Sequence, residues 1–306
     1  MFDIRFPGLG LTLRNVKDGI NLFGLDIKFY GMIIGVAFLT GYFVICADAK
    51  RTKQNSELYL DYLLWLIVPA IIGARLYYVI FSRKSYFKKG SGFFETLVRI
   101  INVRNGGLAI YGGIIAGVVV AIIFCKKKNI RFSIFADTIC LGLVIGQSIG
   151  RWGNFFNREA FGEFTDSKLA MCIPVDYFVN KHSLKPLVES GIITERMANN
   201  TVMYDSMNFI SVHPTFLYEA IWNLVLFIFL MIYRKHKKFD GELFLMYIWG
   251  YGLGRVWIEG LRSDSLMTIG GGMKVSQLVA FLCVIAASVI LVKKRLDYAK
   301  EYAANN

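Results

Sequence analysis

Seven long apolar runs limit what this chain can fold into. They cover residues 30–46, 58–81, 108–125, 134–150, 216–233, 243–258 and 275–292. A helix needs roughly 20 mostly apolar residues to cross a bilayer, where every backbone N–H and C=O must be satisfied within its own segment. Each run is too long for a strand, and a membrane barrel would show short alternating segments instead. Hydrophobic residues make up 55% of the 306, which supports the same reading. The expectation is an all-α polytopic membrane protein with about seven transmembrane helices, the sixth interrupted by Arg255. Residues 1–306 read as a single membrane domain without an internal repeat, which weakens a transporter built on inverted repeats.

The net charge of +13 raises the question of nucleic acid, but the placement of the charge answers it. Lys and Arg gather in short tracts between spans: Lys50-Arg51-Thr52-Lys53, Lys126-Lys127-Lys128, Arg234-Lys235-His236-Lys237-Lys238 and Lys293-Lys294-Arg295. Basic short loops mark the cytoplasmic side. All four tracts fall there if the N-terminus is outside and the C-terminus is cytoplasmic, so the basic balance calls for a bilayer and not for nucleic acid. Residues 82–107 break the pattern. Tyr86, Phe87, Phe93 and Phe94 lie among Arg83, Lys84, Lys88 and Lys89, the mark of an interfacial amphipathic segment on anionic lipid. Residues 163–212 form the one long loop and should fold as a small extracytoplasmic arm. Most of the five cysteines lie in apolar runs and none has metal-ligand spacing, so no metal and no cofactor is expected.

With that topology, the unusual polar residues collect at one depth in the outer half of the membrane. Tyr30 opens the first span. Arg75 lies six residues before the outer end of the second, about 9 Å down at 1.5 Å per residue. Asn105 to Gly113 open the third span, Arg151 to Glu159 follow the fourth, and His213 to Glu219 open the fifth. Tyr251, Arg255 and Glu259 close the sixth, spaced i, i+4, i+8 on one helix face near Arg262. Unrelated structural ion pairs have no reason to share a level, whereas one site does. Charge inside a membrane is costly without a partner and marks function by default. Arg255 and Glu259 could simply pair two helices. The functional alternative sets Arg255 beside Arg151, two planar forks of donors suited to a phosphate; in a membrane that phosphate belongs to a phospholipid. Glu219 reads either as a partner of Arg75 or Arg151 or as a catalytic carboxylate. The glycines around Tyr111 suit close helix packing as well as an anion at a helix start. His182 and His236 read as solvated.

One stretch goes further. Gly150-Arg151-Trp152-Gly153-Asn154-Phe155-Phe156-Asn157-Arg158-Glu159-Ala160-Phe161-Gly162 fits the pattern G-R-x-G-N-F-x-N-x-E-x-x-G. Through it the chain resembles the prolipoprotein diacylglyceryl transferases over nearly its whole length. Tyr30-Gly31, Gly106 to Gly113, His213-Pro214-Thr215-Phe216-Leu217-Tyr218-Glu219 and Tyr251 to Glu259 match in order. The resemblance implies a multi-pass enzyme of the bacterial inner (cytoplasmic) membrane with its site toward the outer leaflet. It implies transfer of the diacylglyceryl group of phosphatidylglycerol to the lipobox cysteine thiol of a preprolipoprotein signal peptide, with glycerol 1-phosphate leaving. Family roles carry over to Tyr30, Arg151, Asn154, Glu159, Gly162, Tyr251 and Arg255. Tyr111 stands where many members have a histidine considered the general base.

These readings give Tyr30, Tyr111, Arg151, Asn154, Glu159, Tyr251 and Arg255 as candidate catalytic residues. Arg75, Asn157, Gly162, His213, Glu219 and Glu259, with both site arginines, are candidate substrate-binding residues. A cysteine thiol has a pKa near about 8.5, and two arginines would favour its thiolate and the phosphate leaving group. Proton removal by Tyr111, Glu159 or His213 ranks below that electrostatic role. A transporter would want polar residues at the midplane and on both sides, while the inner halves of these spans read as bare. A non-catalytic phospholipid-binding protein would need no arginine–asparagine–glutamate constellation.

Overall fold

The computed structural model describes residues 3–87, 92–103, 106–178, 184–263 and 273–304. Four short strands open it: β1 (Ile4–Phe6), β2 (Leu11–Leu13), β3 (Gly19–Leu22) and β4 (Leu25–Lys28). Helices α1 (Phe29–Arg51), α2 (Glu57–Phe81), α3 (Arg83–Tyr86), α4 (Phe93–Ile101), α5 (Ile110–Lys127) and α6 (Phe132–Asn157) follow. The long loop carries β5 (Met171–Pro174), α7 (Lys185–Glu189), α8 (Glu195–Asn199), β6 (Val202–Tyr204) and β7 (Met207–Val212). Helices α9 (Thr215–Tyr233), α10 (Glu242–Leu261) and α11 (Val275–Ala304) close the chain.

The protein is a mostly helical, multi-pass membrane protein. Among the described residues, six helices are long and apolar enough to cross a bilayer: α1, α2, α5, α6, α9 and α11. Helix α10 covers the expected sixth run and has the length, but its glycines, Arg255 and Glu259 dilute its apolar character. Exposed Val36, Phe43, Ile72, Ile114, Val225 and Val289 give the other helices faces suited to hydrocarbon.

The loop 163–212 folds as expected of an arm, and the N-terminal segment joins it. An antiparallel sheet runs in the order β2-β1-β5-β7-β6, with Arg5 opposite Cys172 and Met171 opposite Val212. Its core gathers Ile4, Phe6, Ile173, Leu187, Met197 and Ile210 around Phe155 and Phe216, the last residues anchoring it to α6 and α9. A three-residue strand such as β1 has too little period to be read alone and forms because β5 offers it a partner.

The chain divides into two compact units, Met1–Val44 with Ile139–Asn306, and Ile45–Thr138. In the second, α2 and α5 cross at glycines: a Cβ on Gly112 would lie 2.1 Å from the Gly73 carbonyl oxygen. Tyr59 stacks on Phe135 at 5.2 Å between ring centres. Helix α4 is the amphipathic piece expected in 82–107, with Phe93, Phe94, Val98 and Ile101 exposed; Lys88, Lys89 and Asn105 lie outside the described residues.

The helix ends next to two of the basic tracts also carry buried carboxylates. Buried Asp48 accepts from Arg51 at 2.8 Å and from Thr138 at 3.4 Å. In the first unit buried Glu242 accepts from Arg295 at 2.9 Å and Tyr233 at 3.0 Å. These groups sit at helix ends, where they satisfy one another and the adjoining backbone.

Candidate active site

The signature is not a loop after a span. Helix α6 runs on through it to Asn157, so Arg151 and Asn154 are neighbours at i, i+3. The helix stops at Arg158, whose φ of 49° is left-handed, and Ala160 at 56° repeats the turn. That turn folds Glu159 back: its N–H donates to Asn154 O at 3.1 Å. Its Oε1 accepts from Asn154 Nδ2 at 3.0 Å and from Asn157 Nδ2 at 3.4 Å. The Arg158 guanidinium is buried, lies 4.1 Å from the Tyr177 ring centre and donates to Phe156 O and Val16 O. It therefore joins the end of α6 to the arm.

Glu219 is the centre of the site. It is 3% exposed, one turn into α9. Its Oε1 accepts from Arg151 Nη2 at 2.6 Å, and its Oε2 from Arg255 Nη1 at 3.2 Å. Arg151 Nη1 donates to Asn154 Oδ1 at 3.2 Å. Arg255 also pairs with Glu259, whose Oε1 accepts from Ser276 at the start of α11. Tyr251 lies in the fields of Glu219, Arg255 and Arg151. Three helices thus bring two guanidiniums onto one carboxylate. The trio Arg151, Glu219 and Arg255 keeps one net positive charge. The carboxylate holds together two cations that would otherwise repel.

Two glycines let the neighbours approach. A Cβ on Gly153 would lie 2.7 Å from the Tyr30 ring, so this glycine seats Tyr30 of α1 against the signature turn of α6. A Cβ on Gly162 would lie 2.7 Å from His213 Cβ and 2.9 Å from Leu261 O. There the backbone of 162–163 hydrogen-bonds both His213 and Leu261, tying the entry of α9 to the end of α10.

His213 stands at the β7–α9 junction, 3.4 Å from the Tyr218 hydroxyl. Burial pushes its pKa below the ordinary value, and the Glu163 charge opposes that. Residue His182 lies outside the described residues.

In the second unit, Tyr111 opens α5 with its ring 6.2 Å from Tyr77. Arg75 engages the last turn of α4 and the backbone that follows it. Its Nε donates to Ile100 O at 2.7 Å, Nη1 to Gly106 O and Gly107 O at 2.8 Å, and Nη2 to Arg99 O at 2.8 Å and Asn102 O at 2.7 Å. A guanidinium has five N–H donors, and backbone carbonyls take them all. Arg75 therefore caps the C-terminal end of α4. Gly107, with φ 78° and its Cβ direction blocked by Arg75, is the glycine this cap requires.

Sequence reading missed Ser276 and Lys274, which bind the end of α10; Lys274 Nζ donates to Glu259 O at 2.7 Å. It also missed Gln147, Asn223 and Tyr247. Each lies four residues from a named site residue on the same helix, and that spacing was the available signal.

Comparison with known proteins supplies the context. The family model described as prolipoprotein diacylglyceryl transferase matches residues 19–293. A phosphatidylglycerol–prolipoprotein diacylglyceryl transferase of Finegoldia magna is 37% identical over 285 residues, covering 93% of this chain and 98% of that protein. The protein of the same description from Clostridioides difficile strain 630 is 36% identical over 288 residues, 93% and 99% of the two chains. That from Listeria welshimeri is 37% identical over 283 residues, 92% and 91% of the two.

Proposed function

The chain belongs to the prolipoprotein diacylglyceryl transferase family, and from that premise we propose how its residues move a diacylglyceryl group from phosphatidylglycerol to a prolipoprotein. Arg151 and Arg255 engage the phosphate of the lipid donor. The observation that carries this reading is the buried Glu219 carboxylate shared by both guanidiniums at 2.6 and 3.2 Å. Donors fixed before the substrate arrives need little reorganisation as charge develops, the usual source of large electrostatic stabilisation.

The acceptor is the lipobox cysteine of a preprolipoprotein signal peptide. Its thiolate sulfur attacks the glycerol carbon that carries the phosphate. A C–S thioether bond forms, the C–O bond breaks, and glycerol 1-phosphate leaves with the electron pair. The arginines stabilise the leaving phosphate and favour the thiolate, whose pKa would otherwise be near about 8.5. The thiol proton passes to Glu159 or His213, or to water. Asn154 and Asn157 hold Glu159, Tyr30 and Tyr251 border the arginines, Gly162 ties the surrounding backbone, and Glu259 orients Arg255.

The chain acts as one membrane domain in the bacterial inner membrane, with α10 as the sixth of seven spans. The N-terminus and the arm lie outside, the C-terminus is cytoplasmic, and the site faces the outer leaflet. Purified Arg151→Lys and Arg255→Lys test the phosphate role by transfer of lipid label from phosphatidylglycerol to a lipobox peptide. Lysine keeps the charge but not the fork. Loss of one charged hydrogen bond is worth about 1.5–3 kcal/mol, a fall of roughly 10- to 150-fold. Wild-type turnover in a normally folded Arg255→Lys enzyme rejects the role.

A further inference from the structure

One turn below the arginines, each of the three site helices carries a further polar side chain. Asn223 follows Glu219 by four residues on α9. Gln147 precedes Arg151 by four on α6, and Tyr247 precedes Tyr251 by four on α10. Residues four apart share a helix face, so this layer lies about 6 Å deeper along the helices. Its floor is apolar: Val144, Leu226 and Leu243 pack together with Tyr247. Helices α6 and α9 touch at the same height, where Ser148 Oγ donates to Ala220 O at 2.7 Å.

The layer is unsatisfied. Asn223 is 0% exposed, and among the described residues neither its Oδ1 nor its Nδ2 has a hydrogen-bond partner. Gln147 donates to the Tyr247 hydroxyl at 2.9 Å, while its own Oε1 is buried without a partner among the described residues. The Tyr247 hydroxyl accepts that bond. A buried amide that gains nothing from water or protein is destabilising, so such groups are rare and call for a ligand or a water. The open atoms are mixed, two acceptors and an amide donor beside a phenol, and none of the three residues is charged. That set fits neighbouring hydroxyl groups, which both donate and accept. It offers no carboxylate to an ammonium headgroup.

We propose that Asn223, Gln147 and Tyr247 form the subsite for the free glycerol diol of the lipid donor's headgroup, and so select phosphatidylglycerol over other phospholipids. This rests on the arginine–phosphate reading, because it is the phosphate above that would place the headgroup in the layer. A dry apolar layer could not tell headgroups apart. A site that hydrogen-bonds a substrate hydroxyl rejects the analogue lacking it, since its own polar groups are then stranded.

The test compares two donors with the full-length enzyme: phosphatidylglycerol, and phosphatidylpropanol, which keeps the phosphodiester charge and the headgroup length but has no free hydroxyl. The wild type should prefer phosphatidylglycerol by about 100-fold or more in kcat/KM. Asn223→Leu and, independently, Gln147→Met should lose activity on phosphatidylglycerol, keep that on phosphatidylpropanol, and bring the ratio toward one. Equal use of the two donors by the wild type, which needs no variant to fold, overturns the proposal. So does a preserved ratio in both folded variants, the result expected if the layer holds only water. Arg255→Lys in the same assay separates the two readings. It should depress both donors together; if it depresses neither while the variant ratios collapse, the phosphate role fails and the diol subsite stands.

Discussion

Replacing Glu219 with glutamine asks whether one carboxylate arranges the site. The side chain is 3% exposed and accepts from Arg151 at 2.6 Å and Arg255 at 3.2 Å. Glutamine keeps the shape but has one carbonyl oxygen, so its NH₂ faces a guanidinium that also donates. The trio's net charge rises from +1 to +2, and two cations are left in a low-dielectric setting without their shared anion. Breaking a buried ion pair from one side typically costs about 3–5 kcal/mol of stability. Part of that returns because glutamine still accepts from one arginine. The rate effect is smaller: one charge-assisted bond lost to the clamp corresponds to about 1.5–3 kcal/mol, roughly 10- to 150-fold in turnover. Extra positive charge attracts the lipid phosphate, so the loss should fall on kcat and leave KM for phosphatidylglycerol unchanged or lower. Label transfer to a lipobox peptide over a range of donor concentrations, together with thermal unfolding in the same detergent, reads both quantities. Unchanged melting and unchanged kcat would refute the central role of Glu219. A rise in KM at constant kcat would show that the carboxylate contributes to binding and not to arrangement.

Arg75→Met strips the donor from five backbone carbonyls, and stranding buried acceptors at about 1–3 kcal/mol each predicts loosening of residues 92–107; limited proteolysis should cut there faster, and wild-type resistance would refute the capping role of Arg75. Gly112→Ala sets a Cβ against the Gly73 carbonyl oxygen and Tyr77 Cβ on α2, so the α2–α5 crossing must open at a cost of about 1–3 kcal/mol or more, read as a lower melting temperature. His213 has a folded pKa below its ordinary value, so the unfolded chain takes up the proton first as pH falls. Stability should therefore decline as pH drops through the ordinary value near about 6.5, and level off below the folded one; in His213→Gln that part of the pH dependence should vanish, and an identical profile would mean that burial of His213 is not what is being read.

Much of the architecture was legible in the sequence because hydrocarbon permits so few solutions. A run such as 216–233 has to be helical, and α9 forms over nearly the same residues. The same logic selected Arg151, Glu219 and Arg255, since charge at a span end needs a reason to be there. Local sequence could not settle their partners. Glu219 read equally well as a mate for Arg75, and the choice of Arg151 and Arg255 depends on how α6, α9 and α10 pack. Arg75 shows the reverse case: its donors go to carbonyls of residues 99–107, and no pattern marks a backbone carbonyl as an acceptor. The β1–β5 pairing is likewise a contact between segments more than 160 residues apart, built from strands of three and four residues too short to carry a period of their own. Gln147, Asn223 and Tyr247 are ordinary residues in apolar runs, and only the convergence of three helices makes them a layer. Composition and periodicity act along the chain and determine which segments become helices. The ion-pair choices and the unsatisfied amides arise between segments, where distances of a few ångströms decide the energy, and those distances belong to the tertiary structure alone.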